Sequence, residues 1–141
     1  MKPDRNPAGR VLIVEDCADI REILSRVLLG AGFEVAVAET GKRALELASA
    51  GQFNVLVVDL GLPDMDGTDL VKRVREAGSR SRILVLSGRV DALSPTALDG
   101  LAVDKILPKP VSCQTFLDEV RRWAAAGMEP AKRSAQEEVW P

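Results

Sequence analysis

The stretch "VVDLGLPDMDG", Val57 to Gly67, begins as a buried strand and ends as an acidic turn. Asp59 follows an apolar run that starts at Val55, so a carboxylate is delivered to the end of a strand with no polar residue preparing the way. Whether that carboxylate only ends a strand or does chemistry depends on what else reaches the same edge.

Working outward, two more runs are apolar on both faces: "RVLIVED", Arg10 to Asp16, and "RILVLS", Arg82 to Ser87. Runs of this kind belong inside a parallel sheet covered by helices on both faces. "FEVAVAE" alternates, which places Phe33, Val35 and Val37 on one side of a half-exposed edge strand, and the short "KIL", Lys105 to Leu107, suits the other edge. Helical faces fall between them. Ile20, Ile23, Leu24, Val27 and Leu28 share one stripe, and Ala44, Leu45 and Ala48 another, with Thr40 as N-cap. Leu70, Val71 and Val74 form a third, and Phe116, Leu117, Val120 and Trp123 a last. "DALSPTALDGLAV", Asp91 to Val103, is a poor helix because Pro95 lacks a backbone donor and Gly100 weakens its end. Five repeats of strand and helix predict an α/β fold, a flavodoxin-like doubly wound parallel sheet of order 2-1-3-4-5 with helices on both faces.

Residues 10–126 carry this pattern. Residues 1–9, with Pro3, Pro7 and Gly9, read as a loose arm, and residues 127–141 as a polar tail in which Trp140 has no core to join. The 141 residues, 46% hydrophobic and 28% charged, suit one globular domain. The net charge of -2 exerts no pull toward nucleic acid or an acidic membrane. The start lacks the apolar stretch of a signal peptide, and no run is long enough to span a bilayer, so a cytoplasmic protein is expected. Histidine is absent, which removes histidine triads, histidine-ligated zinc and histidine bases. Cys17 and Cys113 lie far apart and read as two unlinked thiols.

In such a sheet every strand ends at one edge, where ligands bind. That edge gathers Glu15 and Asp16 after the first strand, Asp59 after the third, Ser87 at the end of the fourth and Lys109 after the fifth. Two like charges about 4 Å apart repel by roughly 4 kcal/mol at an effective dielectric of about 20, so three carboxylates need an offset. Hard oxygen ligands suit Mg²⁺, which takes one or two carboxylates and keeps several waters. Such an ion would hold an anionic ligand, read here as phosphoryl, against Asp59. Lys109 and the Ser87 hydroxyl would meet its oxygens. With no base-activated nucleophile elsewhere, Asp59 is itself the best nucleophile.

The pieces "VEDCAD", "VVDLGLPDMDG", "VLSG" and "LPKP", in this order, resemble the receiver domain of two-component response regulators, over about Arg10 to Ala126. The resemblance implies that Asp59 is phosphorylated from a phosphohistidine on a partner sensor kinase or phosphotransfer protein. It implies that Asp16 binds Mg²⁺ directly, Glu15 mainly through water, and that the Gly61 carbonyl is a third protein ligand. Ser87 would hold the conformational Thr/Ser position. Lys109 would contact the phosphoryl group, and the bond before Pro110 would be cis. The protein would then catalyse only its own phosphorylation and dephosphorylation, and signal to a downstream protein by contact or by passing the phosphoryl group on. Two departures stand out. Ile106 sits where the family usually has an aromatic residue, and nothing after Ala126 reads as an output domain, as expected of a single-domain regulator or of a receiver excised from a longer protein.

Two other readings compete. One is a Mg²⁺-dependent nucleic-acid enzyme of the Toprim type, with Glu15 as acid and Asp64/Asp66 as a paired motif; it leaves Ser87 and Lys109 without roles and lacks a basic patch. Asp64 and Asp66 otherwise shape the turn, Asp66 as an N-cap. The other is a flavin module, whose phosphate the acidic loop Glu15 to Asp19 would repel.

Overall fold

The structure, a computed structural model, describes residues 8–88 and 103–127. Its elements are β1 (Arg10–Val14), α1 (Ala18–Gly30), β2 (Glu34–Ala38), α2 (Gly41–Ala50), β3 (Val55–Asp59), α3 (Gly67–Glu76), β4 (Arg82–Ser87), β5 (Lys105–Pro108) and α4 (Cys113–Ala125). The sheet is wholly parallel, in the order β2-β1-β3-β4-β5. This is the doubly wound arrangement expected from the two-faced apolar runs.

Side chains alternate across the sheet, and each face has its own core. Val11, Ile13, Val55, Val57, Leu84 and Leu86 face α1 and α4, where Leu24, Leu28, Phe116 and Val120 close over them. Leu12, Val14, Leu56, Val58, Ile83 and Val85 face α2 and α3, under Ala44, Leu70, Val71 and Val74. The central strands are apolar without interruption because both faces are covered.

The edge strand and α1 depart from expectation in two side chains. Phe33 is buried and Val35 packs on the first core, but Val37 is 42% exposed. An edge strand has one neighbour to shelter it, and Val37 lies on the less covered face while Ala38, on the other face, is buried. Ile23, counted on the inner stripe of α1, is 52% exposed and instead lines a shallow apolar groove with Pro110 and Val111. Thr40 caps α2 as expected, its hydroxyl accepting from Arg43 N–H at 3.1 Å. Asp66 has the backbone of an N-cap on α3, but its side chain makes no capping bond. Arg89, all but the last residue of the expected poor helix at Asp91–Val103, and Trp140 lie outside the described residues.

Candidate functional site at the carboxyl edge of the sheet

The register places the strand ends side by side: Val14 pairs with Val58, Asp59 with Leu86 and Ser87 with Pro108. Glu15, Asp59 and Ser87 are all buried there, while Asp16 is exposed at the rim. One carboxylate oxygen from each of Glu15, Asp16 and Asp59 lies within 4.8 Å of the others. Lys109 reaches this group from the loop after β5, with Nζ 3.1 Å from Glu15 Oε1 and 3.3 Å from Asp59 Oδ2. Its own N–H donates to Ser87 O at 2.7 Å, which ties the loop to the end of β4. The Lys109–Pro110 bond is cis, as the resemblance implied. Asp59, Ser87 and Lys109 open together onto a cleft of about 600 Å³, also lined by Gly61, Asp66 and Thr68.

Backbone donors hold the carboxylates in place. Cys17 N–H donates to Glu15 Oε2 at 3.2 Å, and Gly61 N–H to Asp59 Oδ1 at 3.2 Å. Burial pushes the Glu15 carboxyl above its ordinary value; the Lys109 hydrogen bond opposes that rise and the charge on Asp59 adds to it. Burial alone would lower the Lys109 ammonium, but its bond to Glu15 and the charge on Asp59 prevail and hold it above its ordinary value. One ammonium thus faces three carboxylates. An excess of hard anionic oxygen at one point is the donor set that a small divalent cation such as Mg²⁺ requires.

All five side chains expected from the strand ends meet here. One further residue escaped the sequence reading, and one named there has another role. Arg21 donates from Nη1 to Glu15 O at 2.9 Å and to Asp16 O at 3.5 Å, and so fastens the loop that carries both carboxylates. Its place on the polar face of α1 carried no signal of this. Asp64 does not turn into the cleft. Its two oxygens accept from Gly41 N–H at 2.8 Å and Lys42 N–H at 3.0 Å, at the start of α2. The acid pair on which the nucleic-acid enzyme reading rests is therefore divided, with Asp66 beside the cleft and Asp64 committed elsewhere.

A family model, that of the response regulator receiver domain, matches residues 11–121, and the chain belongs to that family. A response regulator receiver protein of an Anaeromyxobacter species is 39% identical over 111 residues, which are 77% of this chain and 46% of that protein. Among solved structures, the chemotaxis response regulator CheY4 of Vibrio cholerae is 31% identical with a TM-score of 0.75, over 82% of this chain and 98% of that one. The response regulator TrrA of Thermotoga maritima, solved in complex with Mg²⁺-BeF, shares the fold at a TM-score of 0.73 and 24% identity, over 81% of this chain and 97% of that one. The chain spans about half the length of the curated relatives it matches. No helix among the described residues is long and apolar enough to cross a membrane.

Proposed function

We propose that residues 10–126 act as a phosphorylatable receiver in which Asp59 accepts a phosphoryl group from a sensor histidine kinase or phosphotransfer protein. The observation that carries this reading is Lys109 Nζ held 3.3 Å from Asp59 Oδ2, beside two further carboxylates at the edge of the sheet. An Asp59 carboxylate oxygen attacks phosphorus, the P–N bond of the donor phosphohistidine breaks, and its electron pair returns to the imidazole. The Lys109 ammonium, already placed against Asp59, pairs with a phosphoryl oxygen, and the Ser87 hydroxyl donates to another. Glu15, Asp16, Asp59 and the Gly61 carbonyl would hold Mg²⁺, which when bound supplies positive charge against the incoming phosphoryl oxygens. The acidic donor set supports that assignment. The phosphorylated chain then acts on a downstream protein by contact, or passes the phosphoryl group onward.

Incubation with acetyl phosphate and Mg²⁺ followed by intact-mass analysis tests this reading. The expected result is a single phosphate adduct on the wild type and none on Asp59→Asn, with the fold unchanged. Equal labelling of the two proteins would remove Asp59 from its role.

A further inference from the structure

The position of Asp64 asks for an explanation that the turn does not supply. A helix begins with backbone N–H groups that have no partner within it. In α2 the third of these, Arg43 N–H, is met by the helix's own cap, Thr40. Gly41 and Lys42 N–H are met instead by Asp64, from 23 and 22 residues further along the chain. A carboxylate suits this place because the helix dipole is positive there. The two bonds hold the Asp64 carboxyl below its ordinary value. A second contact joins the same partners. Met65 lies so close to Gly41 that a Cβ on the glycine would sit 2.6 Å from Met65 Cγ. The turn between β3 and α3 is thus pressed onto α2 at two consecutive residues.

That turn carries the inner face of the site. Its first bonds are Gly61 N–H to Asp59 Oδ1 and Gly67 N–H to Leu60 O at 3.0 Å, and Gly61 bridges Asp66 across the turn. Asp64 lies at the tip of this closed loop. Gly61 itself has no side chain to anchor it, and a Cβ there would meet only Asp59 Oδ1, at 3.9 Å. The turn's internal bonds hold the Gly61 backbone, and a contact at the tip from outside restricts the loop, and with it the Gly61 carbonyl, further.

We propose that Asp64 is a positioning residue: by capping α2 across the β3–α3 turn, it fixes the turn so that the Gly61 carbonyl and the Asp59 carboxylate keep the arrangement a Mg²⁺ ion needs. The metal half of this proposal rests on the proposed function; the mechanical half does not. Groups hydrogen-bonded directly to a metal ligand typically change metal affinity by about 10–100-fold when removed, and a residue one step further out is expected at the lower end of that range. Asp64 contacts no ligand, so its effect travels through the turn.

The test compares Asp64→Ala with Thr40→Ala. Both remove a cap from the same helix, but only the first releases the turn. Two readouts are taken well below the melting temperature: Mg²⁺ affinity by calorimetry, and amide exchange at Gly61 and Gly67 by NMR without metal. For Asp64→Ala, affinity should fall about tenfold and both amides should exchange about tenfold faster. For Thr40→Ala, both readouts should stay within twofold of wild type. If Asp64→Ala does not fold, Asp64→Asn keeps one acceptor oxygen and should show about a threefold loss, below the roughly 10–100-fold of a fully removed partner because one of the two bonds survives. The proposal is overturned if the Asp64 variants match wild type in both readouts, or if Thr40→Ala changes them equally. A wild type that binds no Mg²⁺ would overturn the proposed function, while faster exchange in Asp64→Ala would still support the pin.

Discussion

At the scale of single residues, the pairing of Lys109 with Glu15 governs the site. Glu15 is 1% exposed, and its charge is offset chiefly by an ammonium 3.1 Å away, with the Cys17 N–H as a second donor. Lys109→Met keeps the bulk of the side chain and strips that charge. The cost should be about 2 kcal/mol at pH 7, below the figure for a wholly buried pair because Lys109 reaches the surface. The pH dependence follows from the raised pKa of Glu15. Folded protein holds this proton more tightly than unfolded chain does, so the contribution to stability is full below the ordinary value of 4.5 and is lost as pH rises toward the raised value. Removing the ammonium raises Glu15 further. The deficit of the mutant should therefore grow from pH 4.5 to pH 7. The Lys109 pKa is also raised, so the lysine's own contribution is complete at neutral pH and is lost only above its ordinary 10.5. Urea unfolding of both proteins at pH 5 and pH 7 reads the difference. An equal deficit at the two pH values would mean that Lys109 does not compensate Glu15.

At the scale of elements, two helices begin on glycine for different reasons. Gly41 opens α2 and Gly67 opens α3. A Cβ on Gly67 would lie 2.6 Å from the Leu60 Cα and 2.9 Å from the Asp59 carbonyl oxygen, both backbone atoms at the root of the site. A Cβ on Gly41 would meet Met65 along its side chain, at Cγ, Sδ and Cε, and these are atoms of a flexible side chain with three rotatable bonds rather than backbone. Gly67→Ala should cost about 2–3 kcal/mol, as overpacking against fixed atoms does. Gly41→Ala should cost under about 1 kcal/mol, because Met65 can move and alanine is the better helix former. Thermal melts of the two variants decide this. A reversed order would mean that the turn yields more easily than the methionine.

At the scale of the molecule, the two edges of the sheet are electrostatic opposites. At the amino edge Asp104 is buried between two arginines, with Arg82 Nη1 at 3.0 Å and Arg75 Nη2 at 3.8 Å, and it accepts from Ile83 N–H at 2.8 Å. Arg82 also donates to Gly127 O at 2.8 Å and stacks over Trp123, which fastens the end of α4. Charge is well paired here, whereas the carboxyl edge keeps an excess of anion. Asp104→Ala should cost about 2 kcal/mol, less than breaking a wholly buried pair, by leaving two partly buried guanidiniums without their anion. Mg²⁺ at one hundred times its dissociation constant should stabilise wild type by about 2.7 kcal/mol. Distant sites add, so the Mg²⁺ increment should be the same in Asp104→Ala within about 0.5 kcal/mol. A markedly smaller increment in the variant, read by melting with and without Mg²⁺, would show the two edges to be coupled.

The sequence alone determined the sheet and the inventory of its carboxyl edge. Val55–Val58 and Ile83–Leu86 could only be strands covered on both faces, and strands of a parallel sheet must end together, so Glu15, Asp16, Asp59, Ser87 and Lys109 had to converge. The Thr40 cap was legible too, because it acts within one helical turn. Tertiary structure decided what those residues touch. Glu15 and Lys109 are 94 residues apart, and that the ammonium is shared by Glu15 and Asp59 depended on how the loops lie. Asp64 reads as a turn residue beside Asp66, yet its bonds go to α2; Asp66 reads as a cap and makes none. Ile23 fits the inner stripe of α1 and lies outside the core, since the stripe is wider than the surface available to cover it. The division has one physical cause. Periodicity and capping act over a few residues and leave their pattern in the chain, whereas a hydrogen bond between loops depends on the relative placement of whole elements, which no local pattern records.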